Sequence, residues 1–260
     1  MNIYITDGSP DGFFTAAFTA CNDINCTVTS EQNFQIALNS QITEIKNDPV
    51  KSNRVRKKIA EYDPQALHDI SILLLRGAGT KEMTALNYLR QIVKYKRPVR
   101  DMLAVPPIRI AMEERRKVTL EAHRFTGFLR FMESEGGIFY APFSPDNDIL
   151  ELILPHFYRR FPNQPFVIHD VSRKKAALCN NGKSRIVPVD ENAQVILHEN
   201  EQCFQALWRE YYQSVNIAQR PHEKQMKGYM PVRYWKFMPE KQQEKLFGHF
   251  RENDGLHPGK

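Results

Sequence analysis

The sequence predicts an α+β protein, with an antiparallel sheet that has helices packed on one side and a helical segment in the first half. Two patterns carry this prediction. Between residues 48 and 122, apolar residues recur at helical spacing, whereas after residue 122 short alternating segments are separated by Gly and Asn turns. We therefore expect an N-terminal region (1–120), a functional core (121–240) and a polar tail (241–260), although the same patterns are compatible with a single compact domain.

The N-terminal elements are short. Residues 2–6 predict a strand, Asp7-Gly8-Ser9-Pro10 predicts a turn, and a helix is expected over residues 11–21. Two further strands, Phe34–Leu38 and Gln41–Ile45, could pair as a hairpin. Neither of the glycine-rich patterns that hold nucleotide phosphates follows the first strand, so the turn is interpreted as a tight connection.

Prolines divide the helical segment that follows. Pro64, Pro98 and the pair Pro106-Pro107 interrupt three apolar stripes, which predicts three or four helices and then a longer helix opened by Pro107.

The second half changes to strands. Alternation over Arg124–Met132 predicts a strand, which Glu135-Gly136-Gly137 turns into a second strand at Ile138–Ala141. Asp146 is expected to cap the helix that follows. Phe166–Asp170 predicts a further strand. Asn181-Gly182 predicts a hairpin between Ala176–Asn180 and Lys183–Val187, and helical spacing returns at Phe204, Leu207, Trp208, Tyr211 and Val215.

Composition restricts the partners and the compartment. Lys and Arg outnumber Asp and Glu by 36 to 30, which favours a polyanionic partner but also fits a mildly basic, solvated surface. The four cysteines are scattered, so we expect no metal and no cofactor to be held by this chain. Few cysteines and short apolar runs predict a cytoplasmic protein without a membrane partner.

The first candidate site is the predicted strand that begins after His123. Alternation places Arg124, Phe128 and Arg130 on one sheet face, where arginines can bind phosphates while a base stacks on the ring. The alternative is that Phe128 packs beneath a helix and the arginines pair with Glu121 and Glu133.

The second candidate site is a predicted helix. His156, Arg159 and Arg160 share one helix face just after Pro155, which should bend the segment. Together they could hold a phosphate, or they could simply complement the negative end of the helix dipole.

The third candidate site follows the strand at Phe166. Asp170 could act as an acid–base group or could form a structural ion pair with Arg173, and His169 should point to the opposite sheet face. Catalysis, if present, would use Glu133, Asp170, His156 and His169.

A series of motifs in a fixed order gives the sequence a family resemblance over roughly residues 2–240. The chain resembles a family of unknown function that is linked with DNA metabolism or repair. The motifs are Asp7-Gly8-Ser9 with Gly12–Phe18, His123–Phe131, Tyr140-Ala141 with Pro145-Asp146, His156-Phe157 with Arg160-Phe161, Ile168-His169-Asp170 with Arg173, Tyr211-Tyr212 with Ile217 and Arg220, and Met230-Pro231 with Arg233-Tyr234-Trp235. The chain departs from the family pattern at Pro155 and at Ser9-Pro10-Asp11.

The resemblance implies a context rather than a mechanism. Members are typically encoded beside a radical-SAM protein of DNA modification or repair, and some are fused to a uracil-DNA-glycosylase-like domain. The leading hypothesis is therefore a protein that binds DNA, or RNA, and acts with a radical-SAM enzyme that brings its own iron–sulfur cluster, and with a uracil-DNA-glycosylase-like protein as a further implied partner. The candidate binding residues are Arg124, Phe128, Arg130, Arg159, Arg160, Arg173, Arg233 and Trp235. The alternatives are an enzyme acting on a nucleic acid or nucleotide, and a protein–protein scaffold.

Overall fold

The computed structural model describes residues 1–31, 39–77, 79–190, 195–215 and 223–242. The chain divides into two compact units, Met1–Ala122 with Asp146–Ile149, and His123–Pro145 with Leu150–Lys260. The predicted α+β class is confirmed. No helix in the described ranges is long and apolar enough to cross a membrane. The predicted landmarks Ile217 and Arg220, and the tail from residue 243 onward, lie outside the described residues.

The first unit contains a small parallel sheet. Its order is β2-β1-β3, with β1 over Asn2–Ile5, β2 over Cys26–Thr29 and β3 over Gln41–Glu44. The predicted strand at Gln41 is thus confirmed, but β3 pairs in parallel with β1. Its predicted hairpin partner, Phe34–Leu38, lies outside the described residues.

In the described part of this unit five helices begin, and proline or a capping side chain marks the start of most of them. Helix α1 (Pro10–Ala20) begins after Ser9, whose Oγ accepts a hydrogen bond from the Gly12 N–H at 3.0 Å. The other four are α2 (Pro49–Tyr62), α3 (Ala66–Leu74), α4 (Lys81–Tyr95) and α5 (Pro106–Phe128). The predicted division by proline is confirmed, with α5 starting at Pro106. Phe13, Phe14 and Tyr88 are among the fully buried side chains of this unit's core.

The predicted strand over Arg124–Met132 is wrong. Helix α5 continues through Phe128, and only Met132–Glu133 forms a strand, β4. Val118, Ala122, Phe125 and Leu129 are all buried. A spacing of four residues fits both the two-residue period of a strand and the 3.6-residue period of a helix, so alternation alone was ambiguous here.

The second unit contains a five-stranded sheet in the order β4-β5-β6-β7-β8. The strands after β4 are β5 (Phe139–Phe143), β6 (Phe166–Asp170), β7 (Lys175–Asn180) and β8 (Lys183–Pro188). All neighbours are antiparallel except β5 and β6, which are parallel. Asn181 and Gly182 both have positive φ, at 47° and 71°, which confirms the predicted hairpin turn.

Helix α6 (Leu150–Arg160) connects the two parallel strands. It begins four residues after Asp146, so the predicted cap is wrong. The backbone N–H groups of Asp146 and Asn147 instead donate to the Glu121 carboxylate at 2.9 and 2.8 Å, which holds this segment away from the helix start.

One face of the large sheet is covered by aromatic contacts. Phe166 lies 5.9 Å from the Tyr158 ring of α6, and Phe143 lies 5.2 Å from Phe125. The C-terminal elements of this unit are α7 (Glu201–Ser214), which confirms the predicted helix, α8 (Glu223–Tyr229), and 3-10 helices at Val232–Phe237 and Pro239–Lys241.

Candidate functional site

A cleft of about 730 Å³ lies in the second unit, and three of the predicted site residues line it: Arg130, Glu133 and Arg160. All of the predicted site residues belong to this unit. The cleft is walled by Phe131, Phe139, Phe157, Phe161, Phe204 and Trp208, with Glu201 and Gln205 as further polar residues.

The aromatic wall is assembled from four separate segments. Phe157 and Phe161 are four residues apart, so they project from the same side at the end of α6. Phe131 packs against both, with ring centroids at 5.2 and 4.8 Å, and Phe139 stacks on Phe161 at 5.8 Å with an angle of 15° between the rings. These contacts fix the rings in place, and a planar ligand entering the cleft would meet a rigid apolar surface.

Arg130 is held by a buried carboxylate. Its Nη2 and Nε donate to Oε1 of Glu240 at 2.6 and 3.1 Å, and its Nη1 donates to the Gly127 carbonyl at 2.8 Å. Trp208 donates to the other oxygen of Glu240 at 3.0 Å and lies under the guanidinium, 5.2 Å from its carbon. Most of the N–H donors of Arg130 are therefore bound to groups of the protein itself. This side chain holds the cleft wall in place.

Arg160 differs from Arg130 in having no such partner. It is exposed at the end of α6, and within the described part of the chain no carboxylate lies within 4.0 Å of it. Its neighbour Arg159 is also exposed but does not line the cleft. His156 is half-buried against Phe157, with ring centroids 4.9 Å apart. Of the basic cluster predicted on this helix, Arg160 is thus the residue that presents charge to the cleft.

Two carboxylates, those of Glu201 and Glu133, lie among the polar residues of the cleft. Glu201 is only 7% exposed, and its two oxygens accept hydrogen bonds from the Glu133 N–H at 3.0 Å and the Gln205 amide at 2.9 Å. Glu133 is half-buried, and among the described residues its carboxylate has no hydrogen-bond or ion-pair partner. The cleft therefore presents hydrogen-bond acceptors to a ligand.

The predicted ion pair between Asp170 and Arg173 is present. Asp170 is fully buried and accepts from the Arg173 guanidinium at 3.0 Å and from the Arg173 N–H at 3.2 Å. Arg173 also donates to the Pro145 carbonyl at 3.1 Å. This ion pair joins the end of β6 to the loop that follows it. Its role is therefore structural.

His169 points to the opposite sheet face from Asp170, as expected. Its Nδ1 shares a hydrogen bond of 2.7 Å with the Tyr140 hydroxyl. Burial lowers the pKa of His169 and raises the pKa of Tyr140 to about 12. Both shifts favour the neutral form of the ring, because burial disfavours the charged form.

The candidate catalytic residues do not share one site. Glu133 pairs with Phe139 at the start of β5, whereas Asp170 pairs with Phe143 at its end. Four residues of strand separate these positions, or about 13 Å. Within the described ranges, no three His, Cys, Asp or Glu side chains converge on a possible metal position.

The remaining predicted residues pack the C-terminal segment. Arg124 donates to the Gly228 carbonyl at 3.0 Å, and the Phe128 ring lies 6.4 Å from Tyr234. Arg233 lies over the Tyr234 ring at 4.8 Å, and Trp235 donates to the Met230 carbonyl at 3.1 Å. The cleft does not include these four residues.

The cleft also contains residues of α7 that were not among the predicted site residues, namely Glu201, Phe204, Gln205 and Trp208. Helical spacing of apolar residues was the available signal, but it does not separate a core stripe from a ligand-facing one. Phe204 is 57% exposed and Trp208 is 38% exposed, so this part of the stripe is not core.

Comparison with known protein families identifies the chain. The model of a domain of unknown function, DUF4130, matches residues 79–240, which include the whole cleft and every predicted site residue. Comparison with curated proteins gives no match. Because the family model covers more than half of the chain, this protein belongs to the DUF4130 family.

Proposed function

We propose that this protein binds nucleic acid by taking an unpaired base into the aromatic cleft while Arg160 contacts a phosphate at its rim. The observation that carries the proposal is the combination of six aromatic side chains with an exposed arginine that has no carboxylate partner among the described residues. Bases stack on aromatic rings regardless of sequence, at about 1–3 kcal/mol per base. An arginine beside such a wall adds a charge-assisted contact to the backbone.

Two further observations support a polyanionic ligand. The chain has a formal charge of +6, which attracts nucleic acid over a distance of about one Debye length. The motif resemblance to proteins encoded beside a radical-SAM enzyme of DNA modification or repair makes DNA the expected ligand and that enzyme the expected partner. We infer that the protein presents a DNA strand to the enzyme.

The binding experiment uses Trp208 as the reporter. The chain has two tryptophans, so Trp235→Phe leaves Trp208 as the source of tryptophan fluorescence. Single-stranded and duplex oligonucleotides are titrated at two ionic strengths. We expect quenching by the single strand, with an affinity that falls as salt rises because phosphate contacts release counterions. Absence of binding to every oligonucleotide at low salt would exclude the proposal.

A matched pair of variants tests the contact at the rim. Arg160→Ala should weaken single-strand binding by about 1–3 kcal/mol, the scale of a hydrogen bond between charged groups. Arg159→Ala removes the same charge from the same helix outside the cleft, and should have a smaller effect. Equal losses in both variants would indicate a general charge effect and would contradict the assignment of Arg160.

An enzyme acting on the bound nucleotide is the second candidate, and one observation favours it. The carboxylate of Glu133 lies in the cleft and has no partner among the described residues. An acid–base group that acts on a bound nucleotide would need to lie in this cleft. Mass spectrometry of an oligonucleotide incubated with the protein tests this. A changed mass that depends on Glu133 would favour the enzyme, and an unchanged mass in the presence of binding would favour the binding protein.

A further inference from the structure

The polar side of the cleft contains the carboxylate of Glu133 as well as Arg160, and this carboxylate restricts which base can enter. Both oxygens of Glu201 already accept hydrogen bonds, from the Glu133 N–H and the Gln205 amide. The side chain of Glu201 is therefore held in place, and it fixes the backbone of β4 at Glu133. The Glu133 carboxylate extends from this fixed point of the backbone, and it has no partner among the described residues.

The strand register shows on which side this carboxylate lies. Glu133 is directly opposite Phe139 in the antiparallel pair of β4 and β5. Side chains that face each other across two strands project from the same face of the sheet. Phe139 stacks on Phe161, which also lines the cleft. The carboxylate and the aromatic wall therefore lie on the same side, and a base stacked on the wall can place its edge against Glu133.

We propose that Glu133 makes the cleft selective for guanine; this inference rests on the proposed function. The two oxygens of a carboxylate match two adjacent donors. On its Watson–Crick edge guanine presents N1–H beside the N2 amino group. The edges of adenine and cytosine combine one amino group with an acceptor nitrogen, and thymine has one N–H between two carbonyl oxygens. Each of those three bases brings an acceptor against the carboxylate, which is unfavourable in a partly desolvated cleft.

The test uses four oligonucleotides that differ in one central base within an otherwise identical thymine strand. A good bidentate contact discriminates by about 1–3 kcal/mol, so guanine should bind about 5- to 150-fold more tightly than the other three bases. Replacing the guanine by hypoxanthine removes the amino group and keeps N1–H, and should give an intermediate affinity.

Glu133→Gln should abolish the preference, because an amide has one acceptor where the carboxylate has two. Removal of the negative charge raises affinity for all strands, so the readout is the ratio between bases. Glu135→Gln is the matched control, since Glu135 is exposed two residues further along the chain and does not line the cleft.

The possible results separate the two proposals. Tight binding of guanine that is lost in Glu133→Gln and kept in Glu135→Gln supports the inference. Equal binding of all four strands, or a guanine preference that survives Glu133→Gln, overturns the inference and leaves nucleic-acid binding in place. Failure of every strand to bind overturns the proposed function and the inference with it.

Discussion

Arg130→Ala should destabilise the protein, because this candidate phosphate-binding residue forms an ion pair with Glu240 in the structure. The Glu240 side chain that it contacts is 1% exposed, while that of Arg130 is 23% exposed. Removal of the arginine leaves a carboxylate inside the protein with the Trp208 N–H at 3.0 Å as a remaining partner. Leaving one member of a buried pair without the other costs about 3–5 kcal/mol.

The partial exposure of Arg130 reduces the loss of stability that we expect. Water can reach the site once the side chain is shortened, so we expect about 3 kcal/mol, the lower end of that range. For a protein of this size, about 3 kcal/mol lowers the melting temperature by about 6–12 °C. Thermal unfolding followed by circular dichroism measures the shift directly. Arg160→Ala is the control, because an exposed residue without a partner among those described should lose at most its interaction with the helix dipole, about 1 kcal/mol or less.

A double variant distinguishes loss of the ion pair from loss of packing. Replacing both partners, with Arg130→Met and Glu240→Leu, removes the charge that Arg130→Ala leaves behind, and apolar replacements of buried pairs are often neutral. The double variant should therefore be more stable than Arg130→Ala. If Arg130→Ala melts with the parent protein, or if the double variant is less stable than the single one, the assignment of Arg130 to the structure is wrong.

Two other predictions concern substitutions of buried side chains. Asp69 is fully buried and lies 3.0 Å from Arg100 and 2.6 Å from Arg115, so Asp69→Asn should lower the free energy of unfolding in urea by about 3–5 kcal/mol; a change below about 1 kcal/mol would contradict this. Burial raises the pKa of Tyr140 to about 12, so its contribution to stability is complete below its unfolded pKa of about 10 and is lost as the pH rises toward 12. Tyr140→Phe should therefore reduce the loss of stability between these two pH values, and an unchanged slope in the variant would refute the assignment.

Much of the fold could be predicted because its signals are local. Pro106 opens α5, and Asn181-Gly182 provides the two positive φ angles that a tight hairpin needs. The pairing of distant strands could not be predicted in the same way. The sequences of β5 and β6 indicate strands but not their relative direction. The two strands are parallel because α6 connects them as a crossover. The end of α5 was missed because Phe125 and Leu129 fit both periods.

The cleft could be predicted only in part, for a related reason. Arg130, Glu133 and Arg160 stood out as charged residues beside aromatic ones, and the structure brings all three to one cleft. The side chains of Phe204 and Trp208 reach the same place from α7, some 40 residues or more away along the chain. No sequence pattern encodes such a convergence, since it depends on packing between elements.

The arginines have different surroundings in the structure, although the sequence analysis placed all of them among the candidate binding residues. Arg130 and Arg173 are bound to carboxylates that are almost fully buried, so their charge is compensated within the protein.

Arg159 and Arg160 both lie in the last turn of α6, where a cation interacts favourably with the helix dipole by about 0.3–1 kcal/mol. A dipole contribution would be similar for both residues and would appear as a change in stability. A phosphate contact would differ between them and would appear as a change in binding, since Arg160 lines the cleft and Arg159 does not. The two variants, measured for both melting temperature and affinity, therefore decide which role the charge at the end of this helix has.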